Sequence, residues 1–204
     1  MIHNADAYSI KNLFDVYYEI PEYQREYSWK LENWENLFND LNESDKDYFL
    51  GTLICISDGN SPMQVVDGQQ RLTTLSIFRL VIMNKLQNNR LKFAEDDDKS
   101  EEYLKLKSSI IKDNKNKLQL QSNNKFEYEK LVDKIINNKN ESFDNRLRIF
   151  KAYNYFEEKL KEYSINEIFK LLDKINSALV VRIEVKSDQD AFILFESINN
   201  RGRS

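Results

Sequence analysis

Hydrophobic patterning predicts a small sheet assembled from distant parts of the chain. Phe49–Ser57 and Met63–Val66 are β-rich runs on either side of a turn signal at residues 58–60, so they predict an antiparallel hairpin. Val16–Ile20 and Ala178–Val185 have the same β-rich character. The second of these would bring the chain back to the sheet near its end.

Apolar residues that recur every three or four positions predict helices elsewhere. Arg71–Leu86 is apolar on most sides, which is typical of a buried helix. The acidic stretch Glu95–Glu102 is expected to be a solvated junction or helix start. The other predicted helices are Tyr8–Phe14, Leu31–Leu41, Glu102–Lys112, Lys125–Asn137, Asp144–Tyr163, Ile165–Ile175 and a last one from Asp190.

These elements together predict an α+β fold with a small mixed sheet core and a large helical region. Residues 1–94 are expected to form the core and residues 95–176 the helical region. Residues 177–204 would return to the core through one strand and one helix. The 204 residues suit one large domain, or a small domain with a helical appendage.

The segment VVDGQQRLTTL joins a predicted strand to the buried helix. Gly68 permits a tight turn and a close backbone approach, and the helix start presents free N–H groups to an anion. Arg71 can clamp a phosphate, Asp67 can bind a cation such as Mg²⁺, and Gln69 and Gln70 can orient a water or polar ligand. The alternative is a polar turn in which Arg71 caps a neighbouring carboxylate.

The segment IPEYQREYSW concentrates side chains suited to recognition. Pro21 is typical of a strand end or edge because it cannot donate to a strand ladder. Tyr23, Arg25, Tyr27 and Trp29 follow within eight positions. The alternative is an aromatic cluster that caps the core, with Arg25 paired to one of the two neighbouring glutamates.

The segment DAFILFESINNRG predicts a helix and its end. The apolar stripe consists of Ala191, Phe192, Leu194, Phe195 and Ile198. Asn199, Asn200 and Gly202 are residue types that terminate helices, so Arg201 is expected to project from a tight turn. The alternative is an ordinary helix cap with no ligand.

These three segments, with YFLGTL at Tyr48–Leu53, resemble the amino-terminal domain of GmrSD-type modification-dependent restriction endonucleases. The resemblance spans essentially the whole chain, and four motifs occur in the family's order and spacing. It implies a ParB/sulfiredoxin-like fold, NTPase activity as in several members, and a nuclease in a separate carboxy-terminal domain or partner subunit. In the family the last motif continues into a further helix, so we expect this sequence to be a piece of a longer protein.

The resemblance and the residue chemistry suggest specific roles. The expected ligands are an NTP of unknown identity and Mg²⁺ at Asp67. The expected catalytic residues are Asp67, Gln69, Gln70 and Arg71. The expected nucleotide-binding residues are Tyr23, Gln24, Arg25, Gly68, Arg71, Asn199 and Arg201. Tyr23, Tyr27 and Trp29 are expected to contact a base or a DNA modification. Arg25, Asp67, Arg71 and Arg201 should then line one cleft.

Composition limits the remaining chemistry. His3 is the only histidine, which excludes an HNH nuclease centre in this chain. A residue so near the N-terminus is also a poor candidate for the base of a Ser-His-Asp triad. Cys55 is the only cysteine and is expected to be a buried strand residue. The net charge of −4 gives no overall attraction to nucleic acid, so DNA contact would need a local basic patch. The lysines between residues 105 and 139 form either that patch or a solvated helical face.

Three functions stay open on these grounds. The first is an NTP-hydrolysing sensor domain of an anti-phage restriction system, with DNA as a partner of the full-length protein. The second is a module that binds nucleotide or modified DNA without turnover. The third is a ParB-like nuclease with a carboxylate-only metal site. No signal peptide or membrane-length apolar run is visible, so a cytoplasmic location is expected.

Overall fold

The computed structural model describes residues 2–57, 59 and 62–201, with residues 123, 199, 200 and 201 described for their backbone alone. The strands are β1 (Ile2–Ser9), β2 (Tyr18–Glu19), β3 (Phe49–Ile56), β4 (Met63–Asp67), β5 (Ile111–Lys112), β6 (Lys115–Asn116), β7 (Leu118–Gln119) and β8 (Leu179–Val185). The helices are α1 (Ile10–Leu13), α2 (Leu31–Glu43), α3 (Gln69–Asn88), α4 (Asp97–Ser108), α5 (Ser122–Ile136), α6 (Arg148–Lys159), α7 (Ile165–Ser177) and α8 (Asp188–Arg201), with a 3₁₀ turn at Arg90–Lys92.

A mixed six-stranded sheet runs in the order β1-β8-β3-β4-β2-β7, and β5 and β6 form a separate two-stranded ribbon. The β1/β8 and β3/β4 pairs are antiparallel, whereas β8/β3, β4/β2 and β2/β7 are parallel. This architecture confirms the predicted α+β class. The finer likeness to ParB and sulfiredoxin stays a prediction.

The predicted β3–β4 hairpin is confirmed. Cys55 pairs with Val65, and a register shift follows before Ile54 pairs with Asp67. This register places Asp67 at the end of β4, where the chain turns into α3. Cys55 is fully buried, as predicted, and burial raises the pKa of its thiol to about 12, so it has no nucleophilic character near neutral pH.

Helix α3 is the centre of the helical layer. Nearly every residue from its start to Met83 is buried, which confirms the predicted buried helix. Helices α4, α5, α6 and α7 all contact it. Phe78 of α3 stacks on Phe156 of α6 with ring centroids 4.4 Å apart. Each buried aromatic or aliphatic side chain of this kind contributes about 1.5–3 kcal/mol to stability.

The helical region shares its core with the sheet. One hydrophobic cluster contains residues of α2 and α3 together with residues of α5, α6 and α7. The described core continues across residues 94 and 176. The predicted division of the chain at these positions stays a prediction. None of the described helices is long and apolar enough to cross a membrane.

Several short strands were not predicted. Tyr8–Phe14 was expected to be helical, but Ile2–Ser9 forms β1 against β8 and the helix is only Ile10–Leu13. The predicted helix Glu102–Lys112 is part of α4, which begins earlier and ends at Ser108. Asp113 and Asn114, with φ angles of 51° and 59°, then form the turn of the β5–β6 ribbon.

Candidate functional site

Three distant segments surround one open cleft of about 860 Å³. They are the loop after β2, the β4–α3 turn and the first turns of α8. As predicted, Arg25, Asp67 and Arg71 line this cleft together. The fourth expected member, Arg201, has its side chain outside the described residues, as does Asn199. The full lining is Tyr23, Gln24, Arg25, Trp29, Val66, Asp67, Gly68, Gln69, Gln70, Arg71, Asp188, Phe192 and Phe195.

The β4–α3 turn depends on Gly68. Its φ of 87° is unfavourable for other residues, and a β-carbon there would lie 2.9 Å from Leu53 Cδ1 and 3.0 Å from the Thr52 carbonyl oxygen. The turn therefore packs directly against β3. This contact directs the first turn of α3 toward the cleft.

The N-terminus of α3 offers donors to an anion. Gly68 is the N-cap and provides no side-chain cap, and the first turn contains no acidic residue. Within the described chain, the backbone amides of Gln69, Gln70 and Arg71 have no hydrogen-bond partner. Free amides and the positive end of a 20-residue helix favour an anion at this position.

Arg71 lies against β3 with no counterion in contact. A β-carbon on Gly51 would be 2.9 Å from Arg71 Nη1, so the guanidinium occupies the space that Gly51 leaves free. Burial lowers the pKa of Arg71, and the negative charge of Asp67 partly offsets this. Among the described residues, no carboxylate lies within ion-pair distance of its guanidinium. The structure thus does not support the alternative that Arg71 caps a neighbouring carboxylate.

Arg25 is exposed at the rim of the cleft. It forms no ion pair with Glu22 or Glu26, so the salt-bridged alternative is also not observed in the described chain. Glu22 instead accepts hydrogen bonds from the Ser122 amide at 3.2 Å and from its hydroxyl at 2.6 Å. Arg25 therefore remains available to a ligand.

Gln70 lines the cleft and holds the loop, and its expected catalytic role stays a prediction. It is 6% exposed, its Oε1 accepts from the Ser28 amide at 2.7 Å, and its Nε2 donates to the Glu26 carbonyl at 3.1 Å. Both ends of the amide are therefore engaged by the backbone of the loop. This choice of partners depends on the tertiary structure, so local sequence carries no signal for it.

Gln69 and Gln24 join the loop to the β4–α3 turn. Gln69 Nε2 donates to Gln24 Oε1 at 3.1 Å, and Gln24 Nε2 donates to the Val66 carbonyl at 3.0 Å. Both side chains line the cleft. The expected role of Gln69 toward a water stays a prediction.

Tyr27 is not a cleft residue, which corrects its expected role in base contact. It is 6% exposed, its hydroxyl lies 2.7 Å from Thr74 Oγ1, and it accepts from Trp34 Nε1 at 2.8 Å. Tyr27 is therefore a core residue that anchors the loop. Sequence spacing does not show which of Tyr23 and Tyr27 is buried, because the loop has no helical periodicity.

The aromatic wall of the cleft comes from Tyr23, Trp29 and α8. Tyr23 is 63% exposed, and its hydroxyl donates to Asp188 Oδ1 at 2.9 Å. Partial burial of this hydroxyl, together with the hydrogen bond and charge of Asp188, raises the pKa of Tyr23 to about 12. Phe192 and Phe195 of α8 are 65% and 36% exposed and also line the cleft.

Phe192 and Phe195 belong to the predicted apolar stripe of α8. In the structure Ala191 is buried and Leu194 packs on a small cluster, while Phe192 and Phe195 face outward. The run AFILF is the available signal, since one helix face cannot bury so many consecutive large residues. The helix also continues through Arg201, beyond its expected end at Asn199.

The cleft has few metal ligands. Within residues 2–57, 59 and 62–201, no group of three or more His, Cys, Asp or Glu side chains is placed to hold a metal ion. Asp67 and Asp188 are the carboxylates among the lining residues. This set suits Mg²⁺ bound through one or two carboxylates plus phosphate oxygens, and it does not suit a carboxylate-only metal centre.

The chain matches a known protein family over most of its length. The sequence model of the GmrSD restriction endonuclease N-terminal domain matches residues 9–204. No curated protein matches the chain significantly. Because the family match covers nearly the whole chain, the protein belongs to the GmrSD restriction endonuclease N-terminal domain family and is a component of a restriction system.

Proposed function

We propose that the cleft binds a nucleoside triphosphate and hydrolyses it, as the sensor domain of a modification-dependent restriction system. The observation that carries this proposal is the Arg71 guanidinium, which has no carboxylate partner among the described residues and lines the same cleft as the uncapped start of α3. A half-buried cation and free helix amides together match a polyphosphate.

Arg71 would bind the phosphates from the inside of the cleft and Arg25 from its rim. A guanidinium donates two parallel hydrogen bonds to a phosphate, which gives direction as well as affinity. Each charge-assisted hydrogen bond of this kind contributes about 1.5–3 kcal/mol.

The aromatic wall would hold the base. Tyr23, Trp29 and the two phenylalanines of α8 offer flat or apolar surfaces beside the phosphate subsite. Stacking of a base on an aromatic side chain contributes about 1–3 kcal/mol and tolerates any base. Base identity would then depend on polar contacts, which Gln24 could provide from the lining of the cleft.

Hydrolysis would rely on positioning and electrostatics. A water would attack the γ-phosphorus, and the bond from phosphorus to the β–γ bridging oxygen would break. The products would be the nucleoside diphosphate, inorganic phosphate and a proton released to solvent. Asp67 would hold Mg²⁺ or orient this water, and Gln69 would assist through its amide. Mg²⁺ would neutralise charge on the phosphates when bound.

Phosphate release tests turnover directly. Each of the four common NTPs would be incubated with the protein and Mg²⁺, with and without DNA, beside Arg71→Lys. The proposal predicts release for at least one nucleotide and a loss of at least about tenfold in the variant. Tight binding without release would instead identify a nucleotide-binding module, the alternative that the engagement of Gln70 by the loop favours.

DNA contact and cleavage belong to the whole protein in this proposal. The full-length protein would recognise modified DNA and use a nuclease in another domain or subunit. The described residues offer no ligand set for a metal-dependent nuclease centre, so the direct-nuclease alternative gains no support.

A further inference from the structure

A second cavity, of about 420 Å³, lies at the C-terminal end of α4 and shares no lining residue with the cleft. We call it the basic cavity. Its cationic lining residues are Lys11, Arg79, Lys105, Lys112 and Lys117, and its acidic ones are Asp15, Glu101 and Glu102. The two sites share helix α3, since Arg71 and Arg79 are about 12 Å apart along its axis.

Arg79 lies at the inner end of the basic cavity. It is 2% exposed and its guanidinium stacks 4.2 Å from the ring centroid of Phe14. Its Nη2 donates to the Ser109 hydroxyl, while its buried Nε has no hydrogen-bond partner in the described chain. Burial lowers the pKa of Arg79 to about 10. A buried cation without a counterion normally costs several kcal/mol.

The acidic residues of the cavity are largely neutralised at its rim. Lys11 Nζ lies 3.1 Å from Glu102 Oε1, and Lys105 Nζ lies 2.5 Å from Glu101 Oε1. These pairs cancel most of the negative charge. Arg79 therefore faces a cavity in which two of the three lining carboxylates, Glu101 and Glu102, already have cationic partners.

Two further lysines add positive charge. Lys117 is 4% exposed and donates to the Asp15 carbonyl at 2.9 Å, so it is not part of a DNA-facing lysine surface. Burial lowers the pKa of Lys117, and the charge of Lys112 lowers it further. No carboxylate lies within ion-pair distance of Lys112, Lys117 or Arg79 among the described residues. Asp15 and Asp113 are the nearby carboxylates, and both act on Lys117 from beyond ion-pair distance.

The end of α4 compensates Arg79 only in part. Ser109 is the C-cap of this helix, where the helix dipole favours a cation. The Ser109 hydroxyl itself donates to the Leu106 carbonyl at 2.6 Å, so Arg79 reaches the helix end only through that hydroxyl. A helix end also contributes less than a full counterion would.

We propose that the basic cavity binds a phosphate group, either as inorganic phosphate or as a small phosphate monoester. Arg79 would contact it from the inside of the cavity through its guanidinium and the exposed Lys112 from the outside, while the buried Lys117 would add positive charge nearby. The volume of about 420 Å³ leaves room for an organic substituent on the phosphate.

The test measures binding of inorganic phosphate and of a simple alkyl phosphate. Thermal unfolding and calorimetric titration would be carried out against chloride at equal ionic strength. Because phosphate can also enter the cleft, both titrations are repeated in the Arg71→Lys variant. We expect phosphate-specific stabilisation to persist in that variant, and tighter binding of the alkyl phosphate would identify a monoester site.

Two variants then locate the site, with one matched control. Arg79→Met keeps the side-chain volume and removes the charge, so it should abolish phosphate binding while leaving the protein at least as stable in chloride. Lys112→Ala changes an exposed residue and should weaken binding about threefold to fivefold. Lys151→Ala, an exposed lysine of α6 outside the cavity lining, should leave binding unchanged.

The outcomes separate clearly. Loss of phosphate binding in Arg79→Met with retained stability supports the proposal. A large loss of stability in chloride, with phosphate binding in the Lys112→Ala protein equal to that of Lys151→Ala, would show that Arg79 only caps α4. The absence of phosphate-specific stabilisation in the Arg71→Lys background would also overturn the proposal.

Discussion

At the residue scale, the position of Arg71 in α3 depends on the absence of a side chain at Gly51 of β3. Gly51 has a φ of 113°, and its α-carbon faces the guanidinium at a distance that excludes a β-carbon. The motif YFLGTL and the motif VVDGQQRLTTL are therefore coupled in space through this contact. Neither motif reveals the coupling by itself.

Gly51→Ala should displace Arg71 and weaken triphosphate binding about tenfold. Gly59→Ala is the matched control, because Gly59 also has a positive φ, of 87°, but nothing lies within 4 Å of its β-carbon position. Both variants should lose about 1 kcal/mol of stability from backbone strain. Calorimetric titration would compare the two, and equal affinities in both folded variants would contradict the assigned position of Arg71.

Tyr23 and Tyr27 should behave oppositely although they are four residues apart. Tyr27→Phe leaves Trp34 Nε1 without its acceptor and should cost about 1–3 kcal/mol of stability with unchanged nucleotide affinity. Tyr23→Ala removes an exposed aromatic face and should weaken affinity with little effect on stability. Denaturation measures the stability of both variants, and titration with nucleotide measures their affinity. Weakened binding only in Tyr27→Phe would return Tyr27 to the cleft.

At the element scale, the loop between β2 and α2 is held by side chains of α3 and of the segment before α5. Gln70 bonds the backbone of Ser28 and Glu26, and Gln121 Nε2 donates to the carbonyls of Gln24 and Arg25 at 3.1 Å and 2.7 Å. The loop therefore has a fixed path although it contains little regular structure.

Gln70→Ala should free this loop and weaken nucleotide binding without a separate defect in chemistry. Gln121→Ala is the informative comparison, since Gln121 braces the same loop but does not line the cleft. Both variants should speed hydrogen exchange of loop amides, most of all Ser28 in Gln70→Ala. If Gln70→Ala lost turnover with normal affinity and normal exchange at Ser28, Gln70 would have the catalytic role that its contacts argue against.

Helix α5 carries a buried carboxyl that should make stability depend on pH. Glu127 is 7% exposed with Oε2 lacking a partner in the described chain, and burial raises its pKa, with the charge of Glu26 adding to the rise. A raised native pKa means that stability falls as pH rises through it. Glu127→Gln should thus be more stable than the wild type near neutral pH by about 1 kcal/mol, with a smaller difference near the ordinary carboxyl pKa. Urea denaturation of both proteins, from the pH of the ordinary carboxyl pKa to neutral pH, measures this difference. A Glu127→Gln protein that is less stable than the wild type at every pH would contradict the prediction.

The elements that sequence predicted well are those with dense runs of apolar residues. Helix α3 and the β3–β4 hairpin have such runs and were found where expected. Strand β1 has the sequence IHNADAYS and is mostly exposed, so only its backbone pairing with β8 defines it. Strand β7, two residues long, likewise exists because it pairs with β2. Pairing between distant segments is invisible to local periodicity.

At the scale of the whole molecule, the candidate site forms where three separate segments meet. The shared position of Arg25, Asp67 and Arg71 could be predicted, because the motifs occur together in a recognisable order. The partners of Gln70 and the burial of Tyr27 could not. Each of these depends on which neighbour the fold supplies, and local residue types are compatible with several neighbours.

The central claim is that a triphosphate binds in the cleft through Arg71. The most direct test is the dissociation constant of each NTP with Mg²⁺ for the wild type, Arg71→Lys and Arg146→Lys. Arg146 is the matched control, since it is highly exposed, pairs with Asp144 and does not line the cleft. The account predicts wild-type affinity in Arg146→Lys and affinity at least about tenfold weaker in Arg71→Lys. Equal affinity in all three folded proteins would contradict it.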